Sequence, residues 1–129
     1  MNRSAEDYIK TIYHLKQNIN SLHSADVARK LGYSRASVSL AMSNLKKDNI
    51  IVMNDKGEIS FTEKGQEIAR GICDRDVILC AFLQQVAGVD EAIAKEDAES
   101  IGCYISAPTY EGIRKYVSSQ KTPVNDTLK

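Results

Sequence analysis

The chain contains little of what marks secreted, membrane-spanning or disordered proteins. Its 129 residues include no tryptophan, two phenylalanines, two prolines and three cysteines. No apolar run approaches the roughly 18 residues that a membrane-spanning helix requires, and the first seven residues lack the apolar stretch of a signal peptide. An odd number of cysteines without an export signal indicates reduced thiols. We therefore expect a cytoplasmic protein with no membrane segment.

The chain also lacks net charge, but its charges are unevenly distributed. Residues 1–65 carry ten Lys and Arg against seven Asp and Glu, whereas residues 66–129 carry seven against ten. A basic excess attracts a polyanion such as DNA, whereas the acidic excess of the second half indicates that this half serves another purpose. This asymmetry favours a nucleic-acid partner for the first half of the chain.

The hydrophobic pattern predicts a mainly α fold with one small β-hairpin. Ser4, Ser24, Ser34 and Thr62 are the expected helix caps, and Gly32 the expected stop of the second helix. Pro108 is expected to separate the last two helices, with Thr109 as the cap, before a polar tail that begins at Gln120. With their caps, the predicted helices cover residues 4–17, 24–31, 34–47, 62–86, 91–106 and 109–119, and the predicted strands 50–53 and 58–61.

Residues 24–49 have the order of elements of a helix-turn-helix. A short helix, a turn that contains Gly32 and a longer helix are followed directly by the hairpin, as in winged DNA-binding domains. We therefore predict a winged helix-turn-helix domain over residues 1–65. Residues 66–129 are predicted to form a helical dimerisation domain, because an apolar stripe runs along Leu79, Phe82 and Leu83.

The third helix carries the predicted DNA-binding surface. Its inward positions are apolar, and its outward positions are mostly small, polar or basic, which allows a helix to enter the major groove. Arg35 can bond guanine, and Leu40 can contact a thymine methyl group. The predicted DNA contacts are Ser34, Arg35, Ala36, Ser37, Ser39, Leu40, Ser43 and Lys47 on this helix and Lys56 at the hairpin tip.

Other classes of protein find less support in the sequence. There is no Gly-rich phosphate loop, nucleophile elbow or His-Glu metalloprotease pattern, so we do not expect an enzyme. A winged helix that binds protein instead of DNA is the alternative from another class. Such modules show acidic or large apolar residues on the third helix, and Leu40 is the one large apolar residue on this outward face.

The chain resembles the diphtheria toxin repressor and manganese transport regulator family. The resemblance implies a homodimeric repressor of double-stranded operator DNA, in the shorter form without a C-terminal barrel domain. It also implies a divalent metal bound between the two domains. The residues that carry the resemblance are SAEDYIKTIY at 4–13, ADVA at 25–28, ASVS at 36–39, GEISFTEKG at 57–65, GVD at 88–90, DAE at 97–99 and IS at 105–106.

The positions at which this family keeps its metal ligands have changed. Asp7 and Glu99 match, but the carboxylate expected one helical turn after Asp7 is Lys10. The histidine expected directly after Arg75 is an aspartate. In the acidic cluster, the second carboxylate is replaced by a glycine and the histidine by a cysteine, so the donors that remain near these positions are Asp7, Asp76, Cys80, Glu99 and Cys103.

Three interpretations of this changed site are open. In the first, those five residues form a rebuilt site, which the thiolates would make selective for zinc or iron over manganese. In the second, the site is lost and the regulator needs no metal. In the third, the protein is a thiol or redox sensor built on Cys73, Cys80 and Cys103, since the first two cysteines share a helix face.

Overall fold

The computed structural model describes residues 2–127, with side chains as far as Gln120. It confirms the predicted class, mainly α with one antiparallel hairpin. The elements in chain order are α1 (Arg3–Lys16), α2 (Ser24–Leu31), α3 (Arg35–Lys47), β1 (Ile51–Met53), β2 (Ile59–Phe61), α4 (Glu63–Phe82), a π-helical turn (Leu83–Ala87), α5 (Glu91–Gly102) and α6 (Ala107–Thr127).

The chain divides into two compact units, one up to Ile72 and one from Cys73 onward. The division falls within α4, which belongs to both. The first unit contains α1 to β2 and the start of α4. Among the described residues, no helix is long and apolar enough to cross a membrane.

The core of the first unit is built from aliphatic side chains of every element in it. Ile9 and Ile12 of α1 and Val27 of α2 are fully buried against the inward residues of α3 and of the hairpin. The side chain of Asn2 accepts a hydrogen bond from the backbone of Ala5 at 2.8 Å and caps α1. The expectation that Ser4 is this cap was wrong, because the helix begins at Arg3, two residues before the predicted start at Ala5.

The turn between α2 and α3 has the predicted chemistry. Gly32 ends α2 with φ +72°, in the left-handed region that glycine tolerates best. Ser34 caps α3, accepting a hydrogen bond from the Ser37 backbone N–H at 3.1 Å. The start of α2 differs from the prediction, because Ser24 is its first residue and His23 its cap. The His23 backbone N–H donates to the side chain of Asp26 at 2.9 Å.

The hairpin is short and tightly turned. Its register pairs Ile51 with Phe61 and Met53 with Ile59. The Asn54 side-chain oxygen accepts hydrogen bonds from the backbone of Lys56 at 3.0 Å and of Glu58 at 2.8 Å. The asparagine thereby closes the turn from within the hairpin.

The second unit is held by a small aliphatic core, with Leu79 of α4, Ala94 and Ala98 of α5 and Val117 of α6 buried. The rings of Phe82 and Tyr116 pack edge to face, with centroids 5.9 Å apart. Gly88 follows the π-helical turn with φ +70°.

Three expectations for the second unit were wrong. α5 ends at Gly102 rather than near 106, and α6 begins at Ala107, so Pro108 lies in the first turn of α6 instead of between two helices. Proline is tolerated there because no intrahelical bond needs its missing N–H. Ser106, rather than Thr109, caps α6 by accepting from the Thr109 backbone at 3.4 Å.

The predicted polar tail is also corrected as far as Thr127, because α6 continues to that residue. Polar side chains do not by themselves end a helix, and the serines and lysine after residue 117 are compatible with one. The last two positions of the predicted tail, 128 and 129, lie outside the described residues.

Candidate nucleic-acid interface

α3 presents one buried face and one exposed face, divided as the sequence predicts. Val38, Met42 and Leu45 are at most 4% exposed and hold the helix on the core of the first unit. The whole predicted contact face is exposed, and it consists of Arg35, Ala36, Ser37, Ser39, Leu40, Ser43 and Lys47. Packing within the first unit therefore does not occupy these side chains.

The exposed face of α3 combines chemical groups suited to a DNA groove. Arg35 is the first residue of the helix, where an exposed guanidinium can reach a base edge or a phosphate. Leu40 is 65% exposed, although leucine is usually buried. Ser34 differs from its neighbours because its hydroxyl serves the helix end, donating to the Ser37 hydroxyl at 3.0 Å.

The hairpin tip is tied to the loop before α2 by His23. One ring nitrogen, Nε2, lies 3.1 Å from the backbone oxygen of Lys56, and the other, Nδ1, lies 3.1 Å from that of Ser21. The Lys56 side chain itself is exposed at the tip. No local signal in the sequence predicts a contact between His23 and a residue 33 positions away.

Glu58 provides a second tie between the same two segments. Its carboxylate accepts hydrogen bonds from the Ser21 hydroxyl at 2.7 Å and from the Asn54 side-chain nitrogen at 2.7 Å. These two bonds, Ser21 first, lower the pKa of Glu58. The hairpin is therefore fixed on the helix-turn-helix through two side chains, which sets where Lys56 is presented.

The residues of the predicted metal site are distributed over both units. Asp7 lies on α1 in the first unit, whereas Asp76 and Cys80 lie on α4, Glu99 lies on α5 and Cys103 follows α5 in the second unit. Within the described part of the chain, no group of three or more His, Cys, Asp or Glu side chains is placed to hold a metal ion.

The donor atoms on the second unit already have contacts of their own. Asp76 Oδ1 accepts from the Arg75 guanidinium at 3.1 Å. The Cys80 thiol donates to Gln84 Oε1 at 3.7 Å, and the Cys103 thiol donates to the Glu99 backbone oxygen at 3.5 Å. A divalent cation would have to displace these partners, so the donor set does not fit a metal as it is arranged.

The three cysteines form no disulfide and are half-buried. Burial, followed by the negative charge of Glu91, raises the pKa of the Cys80 thiol. Thiolate is the form that binds metal and reacts with oxidants, so a raised pKa opposes both uses of Cys80.

Two family models together match nearly the whole chain. The model described as "Iron dependent repressor, N-terminal DNA binding domain" matches residues 1–58. The model described as "Iron dependent repressor, metal binding and dimerisation domain" matches residues 62–124. The boundary between the two matches falls in and just after β2.

Individual proteins give the same result. The HTH-type transcriptional regulator MntR of Lysinibacillus sphaericus is 31% identical over 103 residues, which cover 80% of this chain and 73% of that protein. An HTH-type transcriptional regulator of Methanocaldococcus jannaschii is 27% identical over 125 residues, covering 96% of this chain and all of that protein.

Solved structures share the fold. The structure of the manganese regulator SloR matches with a TM-score of 0.76 at 23% identity, over 91% of this chain and 54% of that one. This chain therefore spans about half the length of that structure.

Proposed function

The chain belongs to the iron-dependent repressor family of DNA-binding transcriptional regulators, which are not enzymes, and from this premise we propose that it acts in the cytoplasm as a homodimer on double-stranded operator DNA. In this proposal the exposed face of α3 enters the major groove, and Lys56 at the hairpin tip contacts the phosphate backbone. The domain boundary that we propose lies near residue 65.

The observation that carries the proposal is the composition of the exposed face of α3. Ala36 and three serines have short side chains that project little from the helix. Arg35 and Lys47 supply positive charge at the two ends of the face, and no acidic residue occurs between them. Small side chains allow a helix to approach base edges, while the two cations are suited to guanine and phosphate. A protein-binding face would be expected to carry acidic or larger apolar groups.

The homodimer is proposed from the second unit. Large apolar side chains are exposed there, including Val77 at 68% and Tyr104 at 80%. Exposed apolar side chains of this size are suited to an interface between subunits. Leu79, on which the sequence argument for the dimer relied, is only 1% exposed and belongs to the core of the unit instead. Two copies would present two α3 helices to half-sites about one helical turn apart, which matches the symmetry of a palindromic operator.

DNA reading is tested with an operator selected from a random library. We expect Arg35→Ala to weaken binding by about 1–3 kcal/mol and to relax the preference at one base position. We expect Lys47→Ala to weaken binding to all sequences alike and to reduce the salt slope by about 1. Fluorescence anisotropy over a range of salt concentrations measures both effects. Lys95→Ala, an exposed lysine of the second unit, is the matched control. If all three variants bind as the parent does, α3 is not the reading helix.

The dimer is tested by sedimentation at tens of micromolar, a concentration at which a dimer with a dissociation constant of about 1 μM is mostly associated. Val77→Glu should shift the protein toward monomer because a carboxylate would be buried in an apolar interface. Val52→Glu is the control, since Val52 is 51% exposed in the hairpin of the first unit. A parent protein that sediments as a monomer would contradict the proposal.

A further inference from the structure

We propose that Arg75 is a resident cation of the second unit, which holds α4 and α5 together beside positions 76 and 102, where the resemblance places metal ligands. The inference deepens the proposed function and rests on it, because it states that operator binding needs no metal. Arg75, Asp76 and Gly102 all lie in the second unit.

The Arg75 guanidinium occupies the space that a side chain at residue 102 would need. A Cβ atom at this residue would lie 2.5 Å from Arg75 Nε, 2.6 Å from Nη2 and 2.7 Å from Cζ. Carbon and nitrogen atoms that are not bonded do not approach so closely. Arg75 in this position and any side chain at residue 102 therefore exclude each other.

The backbone gives no other reason for glycine at 102. The glycines with positive φ are Gly32, Gly57 and Gly88 among the described residues. Gly102 is the last residue of α5 and is buried, and Cys103 after it has φ −71° and ψ −22°, in the right-handed region. Alanine would suit a helical backbone better than glycine does. The absent side chain at 102 is explained by the guanidinium that takes its place.

The guanidinium is itself held in a defined position. Nη2 and Nε of Arg75 donate to Asp76 Oδ1 at 3.1 Å and 3.4 Å. The two side chains are only 15% and 14% exposed. A half-buried ion pair is screened less by water than a surface pair. The charge of Arg75 also acts on Tyr110 of α6, where it slightly opposes the rise in pKa that burial causes.

These contacts give one arginine the structural role of a bound cation. It neutralises Asp76, it bridges α4 to the end of α5, and its charge repels a second cation. The residue that the resemblance expects as a carboxylate is the one whose side chain the guanidinium replaces. The second unit therefore keeps one arrangement with or without divalent metal, and operator binding is constitutive with respect to metal.

The position of the guanidinium beside residue 102 is tested by a pair of glycine variants. Gly102→Ala should lower Tm by about 3 °C or more, because the new methyl group must displace Arg75. Gly112→Ala on α6 is the matched control, since a Cβ there meets nothing within 4 Å, and its Tm should be unchanged or higher. If Gly102→Ala is as stable as Gly112→Ala, the proposed position of the guanidinium is wrong.

The role of the charge is tested with Arg75→Met and Arg75→Lys. Tm and operator binding are measured for each variant and for the parent, in EDTA and with MnCl2 or ZnCl2 added. The parent should bind the operator equally well, within about twofold, in all three conditions, and should take up no stoichiometric metal. Arg75→Met should lose at least about 3 °C in Tm, and Arg75→Lys should lose less because it keeps a charge without the planar fork.

The outcomes separate this inference from the proposed function. Stoichiometric zinc or manganese that is required for operator binding would overturn the resident cation and favour the rebuilt metal site. A parent that binds no DNA in any condition would overturn the proposed function, whereas the Tm results would still decide whether Arg75 holds the unit.

Discussion

The junction between the hairpin and α4 is predicted to tolerate no side chain at Gly65. A Cβ atom there would lie 2.8 Å from the carbonyl carbon of Ile50, closer still to its oxygen, and 3.1 Å from Cγ2 of the same residue. An ordinary contact between carbon atoms is about 3.5 Å. Gly65→Ala must therefore move the first turn of α4 and the backbone of Ile50 apart by at least about 0.7 Å.

The expected loss of stability follows from what that movement disturbs. The Ile50 carbonyl accepts hydrogen bonds from the Thr62 backbone at 3.0 Å and the Thr62 hydroxyl at 3.2 Å. Two weakened bonds amount to about 2 kcal/mol, and shifting Ile50, which is 3% exposed, adds an overpacking cost of about 1 kcal/mol or more. The better helix propensity of alanine returns up to about 1 kcal/mol. We expect a net loss of about 2–3 kcal/mol.

Urea unfolding followed by circular dichroism, at one protein concentration, measures this loss. Gly71→Ala in the same helix is the control, because a Cβ there has nothing within 4 Å, and it should stabilise the protein by up to about 1 kcal/mol. A Gly65→Ala protein within about 0.5 kcal/mol of the parent would refute the reasoning, since that is the range of surface substitutions.

Three further outcomes are expected. The pKa of Asp26 is lowered, first by the hydrogen bond from the His23 backbone N–H, so Asp26→Asn should destabilise the protein above about pH 4. The difference in unfolding free energy between variant and parent should vanish as the pH falls and the parent carboxylate is protonated. Phe82→Ala should lower Tm, because it removes the edge-to-face contact with Tyr116 and leaves a cavity, and a Tm equal to that of the parent would contradict this packing. Cys80 should react with iodoacetamide more slowly than free cysteine at pH 7.5, by peptide mass spectrometry, because its pKa is raised; equal rates would restore thiol sensing as an interpretation.

The helix α3 was predictable from the sequence because its signals are local. Ser34 as the cap and the apolar spacing of Val38, Met42 and Leu45 specify one helix and its buried face within fourteen residues. The exposed face then follows as the remainder. Whether those exposed residues contact DNA stays a prediction that the variants of Arg35 and Lys47 test.

The wing was predictable only in outline. Apolar residues on both sides of a turn with Gly57 indicated the hairpin, but nothing near His23 indicated that its ring would meet the Lys56 backbone. Contacts over more than thirty residues depend on how finished elements pack, and composition and spacing do not contain that information. The helix ends near Pro108 were misjudged for a different reason, because proline is compatible with both a break and a first turn.

By itself, the sequence determined the class of fold, the order of the elements and the family, because caps, turns and apolar periodicity are properties of neighbouring residues. Through the resemblance, it also predicts that the positions of the family's metal ligands have changed. Only the tertiary structure showed which group fills the space beside two of the glycines. The Ile50 backbone fills it at Gly65, and the Arg75 guanidinium fills it at Gly102. A glycine in a sequence records that a side chain is missing, and the group that fills its volume is brought there by another part of the chain.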